Sequence, residues 1–204
     1  MNKMKKFAMI AVCAMLLVCV TIGATVAYLT SNDKVVNTFT VGKVAITLDE
    51  APVEPDGTLK TGPRVDANAY HLLPGKSYQK DPIVHVDKNS EDCYVFVKVE
   101  NGIAALEADS TEARPNIAAQ IESNGWTVLD GVTNVYYQEY KKTDPAPTKD
   151  VDLPVFAMFT ISENADASDA WASVNANTKV TVTAYAIQKD GFANVAAAWA
   201  EVSK

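Results

Sequence analysis

From Tyr94 to Glu100 the chain reads YVFVKVE. Val95, Val97 and Val99 fall on one side of a pleated strand and Tyr94, Phe96 and Lys98 on the other, because successive side chains point to opposite faces. The same period returns in Val180, Val182, Ala184 and Ala186, which share one face, while Thr181, Thr183, Tyr185 and Ile187 share the other. Val155, Ala157, Phe159 and Ile161 form a third series. Phe39 and Val41 begin a fourth, which Val44, Ile46 and Leu48 continue with opposite parity after Gly42, and a glycine at such a switch reads as a bulge or bend. Two further strands are expected. One is Ile83 to Val86, after a Leu73-Pro74-Gly75 turn, and the other is Val132 to Lys141, paired with Trp126 to Leu129 across Asp130-Gly131.

Helical spacing is brief. Pro115 followed by Ile117, Ala118 and Ile121 predicts two turns, and Phe192, Val195, Trp199 and Val202 recur every three to four residues after Asp190-Gly191. Loops are placed at Ala51 to Ala69 and Lys142 to Asp152, both rich in Pro, Asp and Thr. Seven or eight short strands with one or two short helices predict an all-β, antiparallel, immunoglobulin-like sandwich. A doubly wound α/β fold is excluded by the lack of strands alternating with long amphipathic helices.

The chain has 204 residues, of which 48% are apolar and 21% charged, with 18 Lys+Arg against 25 Asp+Glu for a net charge of −7. These proportions fit a foldable globular domain, not a disordered, collagen-like or disulfide-dense chain. The amino end is built differently. Lys3, Lys5 and Lys6 precede an apolar run from Phe7 to Val20 that continues to Ala27, the layout of a secretory signal helix. Ile22-Gly23-Ala24 and Thr25-Val26-Ala27 both offer small residues to a signal peptidase, and cleavage between Ala27 and Tyr28 is preferred. An uncleaved anchor is the alternative, since Phe7 to Tyr28 nearly spans a bilayer. Residues 1–27 are thus assigned as signal peptide and 28–204 as a single domain.

Without residues 1–27 the net charge becomes −10, with no phosphate-neutralising excess, so a nucleic-acid partner is disfavoured. Cys13 and Cys19 leave with the signal, and Cys93 alone remains, read as a buried small hydrophobe.

Catalytic chemistry is poorly supplied. There are two histidines, His71 and His85, and neither an H-E-x-x-H nor a G-x-S-x-G motif occurs. Gly75-Lys76-Ser77 imitates the end of a phosphate loop, but the glycine required five positions upstream is Tyr70. Asp87, Asn89, Glu91 and Asp92 carry oxygens that suit calcium, yet lack the glycine and terminal glutamate of an EF-hand, and read as a solvated turn. No catalytic residue, metal ligand or cofactor is assigned. Trp126, Tyr136, Tyr137 and Tyr140 offer an aromatic platform for a carbohydrate- or surface-binding module, although Tyr136 and Tyr140 share a strand face opposite Tyr137.

The stretch Ala24 to Leu48, ATVAYLTSNDKVVNTFTVGKVAITL, resembles the amino-terminal signature of the TasA/camelysin family of exported bacterial matrix proteins. The matching residues are Asn37, Thr38, Phe39, Thr40, Gly42, Val44, Ile46 and Leu48. Leu73, Pro74, Gly75, Lys76, Tyr78, Lys80 and Asp81 are similar to the family's proline-glycine turn, and YVFVKVE and the terminal Ala184 to Trp199 also look alike. Residues 103–178 match mainly in pattern. The resemblance implies a jelly-roll-like sandwich, signal removal by a peptidase of the SipW type, and assembly into extracellular fibres. Because camelysin was named as a surface metalloprotease, a protease label travels with the family, but this sequence supplies no zinc motif for it.

Cleavage after Ala27 frees Tyr28 to Val41, in which a polar lead precedes Val35, Val36, Phe39 and Val41. Such a segment suits addition to a neighbour's sheet edge, and equally suits pairing within its own domain. A secreted, non-enzymatic structural protein that self-associates into filaments, and touches the membrane only as a precursor, is the expected function.

Overall fold

The computed structural model describes residues 42–175 and 178–204, all within one compact unit, Val41–Lys204. Among the described residues nine strands make three antiparallel sheets. The largest has the order β5 (Thr127–Val128), β6 (Val135–Tyr140), β4 (Cys93–Asn101), β9 (Val180–Gln188). A three-stranded sheet has the order β1 (Ile46–Asp49), β3 (Ile83–Val86), β7 (Val151–Pro154), and β2 (Ser77–Gln79) pairs with β8 (Met158–Thr160). The chain is therefore β-rich and antiparallel, as its period-2 pattern predicts.

Strand β4 explains the arrangement. Cys93, Val95 and Val97 are fully buried and Val99 nearly so, in a core that also takes Val84 and Val86 from β3, Tyr78 from β2 and Phe159 from β8. On the other face Tyr94 and Phe96 enter a separate cluster, covered by helix α3 (Val195–Val202). Both faces of β4 are thus apolar and covered, so YVFVKVE carries hydrophobes at nearly every position. The Phe96 ring lies 5.2 Å from Trp199, and Tyr185 meets Trp199 edge-on at 5.3 Å. Asn194 starts α3 by accepting a hydrogen bond from the Ala197 amide at 2.9 Å, one of the groups a helix start leaves unpaired.

Helix α1 (Ile117–Ser123) forms where Pro115 and the apolar spacing place it, with Asn116 as its cap and Ile117 and Ile121 buried. Gln120 is also buried, and its carboxamide fastens the helix to β8 by donating to the Met158 carbonyl (2.7 Å) and accepting from the Ala157 (3.0 Å) and Met158 (3.2 Å) amides. A short third helix, α2 (Asp169–Ala172), is capped by Ser168 and is absent from the sequence reading because one turn carries no period.

Three expectations need correcting. The Asp130-Gly131 pair does not make a two-residue hairpin. Thr127 faces Tyr137 and Leu129 donates to Val135, so five residues turn, with Gly131 (φ 77°) and Asn134 (φ 61°) both left-handed. The loop expected to run to Asp152 ends two residues early, at Asp150, because Val151 opens β7, an edge strand that tolerates Pro154. The series from Val155 to Ile161 is not one strand. Val155 and Phe156 are both buried, since the chain crosses there between sheets, Val155 donating to Pro82 and Ala157 accepting from Lys80. The Leu73-Pro74-Gly75 turn is present as expected, closed from the Lys76 amide to the Leu73 carbonyl, with Gly75 at φ 74°.

Candidate functional site

Two features concentrate unusual chemistry. The first is a seam between sheet edges. Among the described residues β1 pairs only with β3, and β9 only with β4. These two open-edged strands lie against each other. Their core-facing side chains, Val44, Ile46 and Leu48 before and within β1 and Val180, Val182, Ala184 and Ala186 on β9, are only partly buried, whereas the same face of β4 is sealed. Among the described residues the apolar interior is thus incompletely covered along this seam.

The second is a polar network on the outer face of the three-stranded sheet and the loop behind it. His85 sits on central strand β3, opposite Asp152 of β7 and Thr47 of β1. Its Nδ1 lies 2.6 Å from Asp152 Oδ1 and its Nε2 lies 3.0 Å from Asp49 Oδ1. Ionised carboxylates only accept hydrogen bonds, so this pair is fully satisfied when both ring nitrogens donate, which is the imidazolium form. Burial opposes that charge, but the two carboxylates outweigh it and raise the His85 pKa above its ordinary value. Asp49 is in turn held low: burial is outweighed by hydrogen bonds from Arg64 and His85.

Arg64 is the hub of the loop. It bonds the Asp49 carboxylate, the Asp81 carboxylate at 3.0 Å, and the Asp49 and Asp81 carbonyls at 3.2 and 2.8 Å. Deeper in, the Lys80 ammonium contacts Glu50 Oε2 at 2.5 Å, and the Asn68 amide donates to Glu50 Oε1 at 2.9 Å. Burial, together with the Glu50 and Asp81 carboxylates, pushes the neighbouring Tyr70 hydroxyl far above the usual tyrosine pKa.

The His85 clamp makes a prediction. With its folded pKa raised, the stabilisation it gives is complete below about pH 6.5 and is lost as pH rises through the folded value. Thermal unfolding followed from pH 6 to 9 should show a falling melting temperature that His85→Gln flattens. An NMR titration placing His85 at or below the free-histidine value would contradict it.

The residues singled out in the sequence are distributed as follows. Ala27, Tyr28, Val35, Val36, Phe39 and Val41 lie outside the described residues, so the cleavage site and donor strand are not seen. His71 is exposed and remote from the clamp in sequence, and its carbonyl accepts from the Tyr78 hydroxyl at 2.9 Å. Cys93 is fully buried, and burial together with Asp92 pushes its thiol up to about 11, so it stays protonated at neutral pH.

Asp87 spends its side chain on the Asn89 backbone and amide, while Asp92 accepts from the Lys142 amide and Glu91 pairs with the Lys142 ammonium. The Asp87 contacts are those of a local turn, whereas Asp92 and Glu91 reach across to Lys142, 50 and 51 residues further along the chain. The aromatic platform is not formed: Trp126 and Tyr140 are buried with Tyr136 against the main core, and Tyr137 packs on the opposite face under α3.

Sequence reading missed Asp49, Glu50, Arg64, Asn68, Lys80 and Asp152. Their partners lie 15 to 67 residues away, and no local spacing announces them. Among the described residues no group of three His, Cys, Asp or Glu side chains is disposed to hold a metal ion, and no helix is long and apolar enough to cross a membrane. Compared with family models, with curated proteins and with solved structures, the chain matches none.

Proposed function

We propose that this chain is an exported structural subunit with a jelly-roll-like β-sandwich body that assembles into cell-surface or biofilm-matrix fibres. Removal of residues 1–27 by a signal peptidase of the SipW type releases residues 28–41, which add as a strand to a second copy. The observation that carries this reading is the seam, where two strand edges unpaired among the described residues leave seven apolar side chains partly buried. A strand added there gains backbone hydrogen bonds and fills the gap with alternate side chains, Val35, Phe39 and Val41 among them.

Length agrees, since residues 28–41 exceed the nine residues of β9. Joining one copy's amino end to another copy's edge is a head-to-tail contact, which propagates as a filament. The resemblance of residues 24–48 to the TasA/camelysin signature points the same way. The hydrolase alternative draws no support from His85, whose two nitrogens are both engaged by carboxylates, leaving neither to take a proton from a nucleophile.

Electron microscopy of the chain beginning at Tyr28, beside a variant lacking residues 28–36, tests the reading. Fibres are expected from the first, and folded monomers by circular dichroism and light scattering from the second. Unchanged fibres from the truncated chain would remove the donor role.

A further inference from the structure

We propose that Lys80 and Asn68 are the partners of a self-forming isopeptide bond, with Glu50 as its proton carrier. Three groups of complementary chemistry meet behind the Arg64 loop around the buried Glu50: an amine, a carboxamide, and a carboxylate between them. Glu50 is 4% exposed, and the Lys80 side chain 11%. One carboxylate oxygen holds Lys80 Nζ at 2.5 Å and the other holds Asn68 Nδ2 at 2.9 Å, so the amine and the amide are gathered at the two ends of a single carboxylate.

The amide's orientation is fixed by its partners. Oδ1 accepts from the Val53 amide at 2.9 Å and Nδ2 donates to the Ala51 carbonyl at 2.9 Å as well as to Glu50, an assignment that a flip would turn into three mismatches.

Each contact has a use in amide exchange. Glu50 takes a proton from the Lys80 ammonium across their short contact, which leaves a neutral nucleophilic amine and removes two charges from a site that water barely reaches. The Nζ lone pair attacks Asn68 Cγ, and the developing oxyanion on Oδ1 is met by the Val53 N–H at the distance an oxyanion donor requires. The proton on Glu50 passes to Nδ2, the Cγ–Nδ2 bond breaks, and nitrogen leaves as ammonia, which carries away the remaining surplus proton as ammonium.

One Nζ–Cγ bond forms, one Cγ–Nδ2 bond breaks, the Glu50 carboxylate is regenerated, and no oxidant or further reactant enters. The product ties residue 68 of the Arg64 loop to residue 80 between β2 and β3, an internal staple in a chain whose only cysteine beyond residue 27 is Cys93. It does not depend on the fibre reading.

Intact-mass and peptide mass spectrometry of the purified, folded chain decides the matter, with the observed amino terminus taken into account. The expected mass is one ammonia lower than the linear sequence. Trypsin should yield a branched peptide joining residues 65–76 to residues 77–88, because cleavage after a linked Lys80 is blocked. Lys80→Arg, which keeps the charge but cannot form the amide, and Glu50→Gln should both give the linear mass while remaining folded by circular dichroism. A folded parent chain of full linear mass would overturn the proposal. So would ammonia loss without the branched peptide, which is cyclisation at Asn68 alone, and so would a branched peptide surviving in the Lys80→Arg chain.

Discussion

Phe96→Ala is expected to lower the unfolding free energy by about 3–5 kcal/mol, the range for emptying a large buried aromatic site. Phe96 has no exposed surface, and its ring is shared among Tyr94, Tyr137 and Trp199 at 6.3, 6.4 and 5.2 Å. It lies on the sheet face that α3 covers, in the middle of strand β4, where it faces Tyr137 of β6 and Tyr185 of β9. An eight-residue helix is too short to persist without packing, so the loss also releases α3 from the sheet. Urea denaturation of the two proteins would read the shift in midpoint, and amide exchange would show Val195 to Val202 losing protection beyond the global change. A shift worth less than about 1 kcal/mol would mean that the site collapses freely around the missing ring.

Gly57→Ala is the second large effect, for a different reason. Gly57 has φ 81°, and a Cβ built on it would lie 2.8 Å from the Tyr78 Cα and 2.7 Å from its ring. The left-handed conformation costs a residue with a side chain about 1–2 kcal/mol, and pushing aside the β2 backbone adds about 1–3 kcal/mol. Relief is difficult because Tyr78 is itself immobilised, stacked on Phe159 at 5.1 Å with its hydroxyl hydrogen-bonded to the His71 carbonyl and the Leu73 amide.

Gly131→Ala separates the two contributions. Gly131 has φ 77° but nothing within 4 Å of its would-be Cβ, so only the conformational cost applies. Melting temperatures should fall in both variants, and clearly further for Gly57→Ala. Equal falls would show that β2 yields without cost.

The local pattern and the tertiary arrangement contributed different parts of this picture. Strands β4 and β9 were legible residue by residue, down to which side chains share a face, because pleating imposes a period of two that burial then selects. Helix α3 was legible for the same kind of reason, three to four residues between Val195, Trp199 and Val202. Gln120 was not, since a glutamine within a helix reads as solvated until Ala157 and Met158, where β8 begins, present three backbone groups for it to bond. The five-residue turn at Asp130 was misjudged because an Asp-Gly pair permits positive φ without dictating register.

By itself, the amino-acid sequence determined that this chain is β-rich and antiparallel, and where its clearest strands and its last helix lie. Those follow from composition and from periods within a few residues. Only the tertiary structure decided that His85 is clamped on both sides by Asp49 and Asp152, that Glu50 stands between Lys80 and Asn68, and that β1 and β9 leave a half-covered seam. Each of these depends on strand order and register, which bring together groups distant in sequence. The chemistry of a charged or amide side chain is set by the neighbour it meets there.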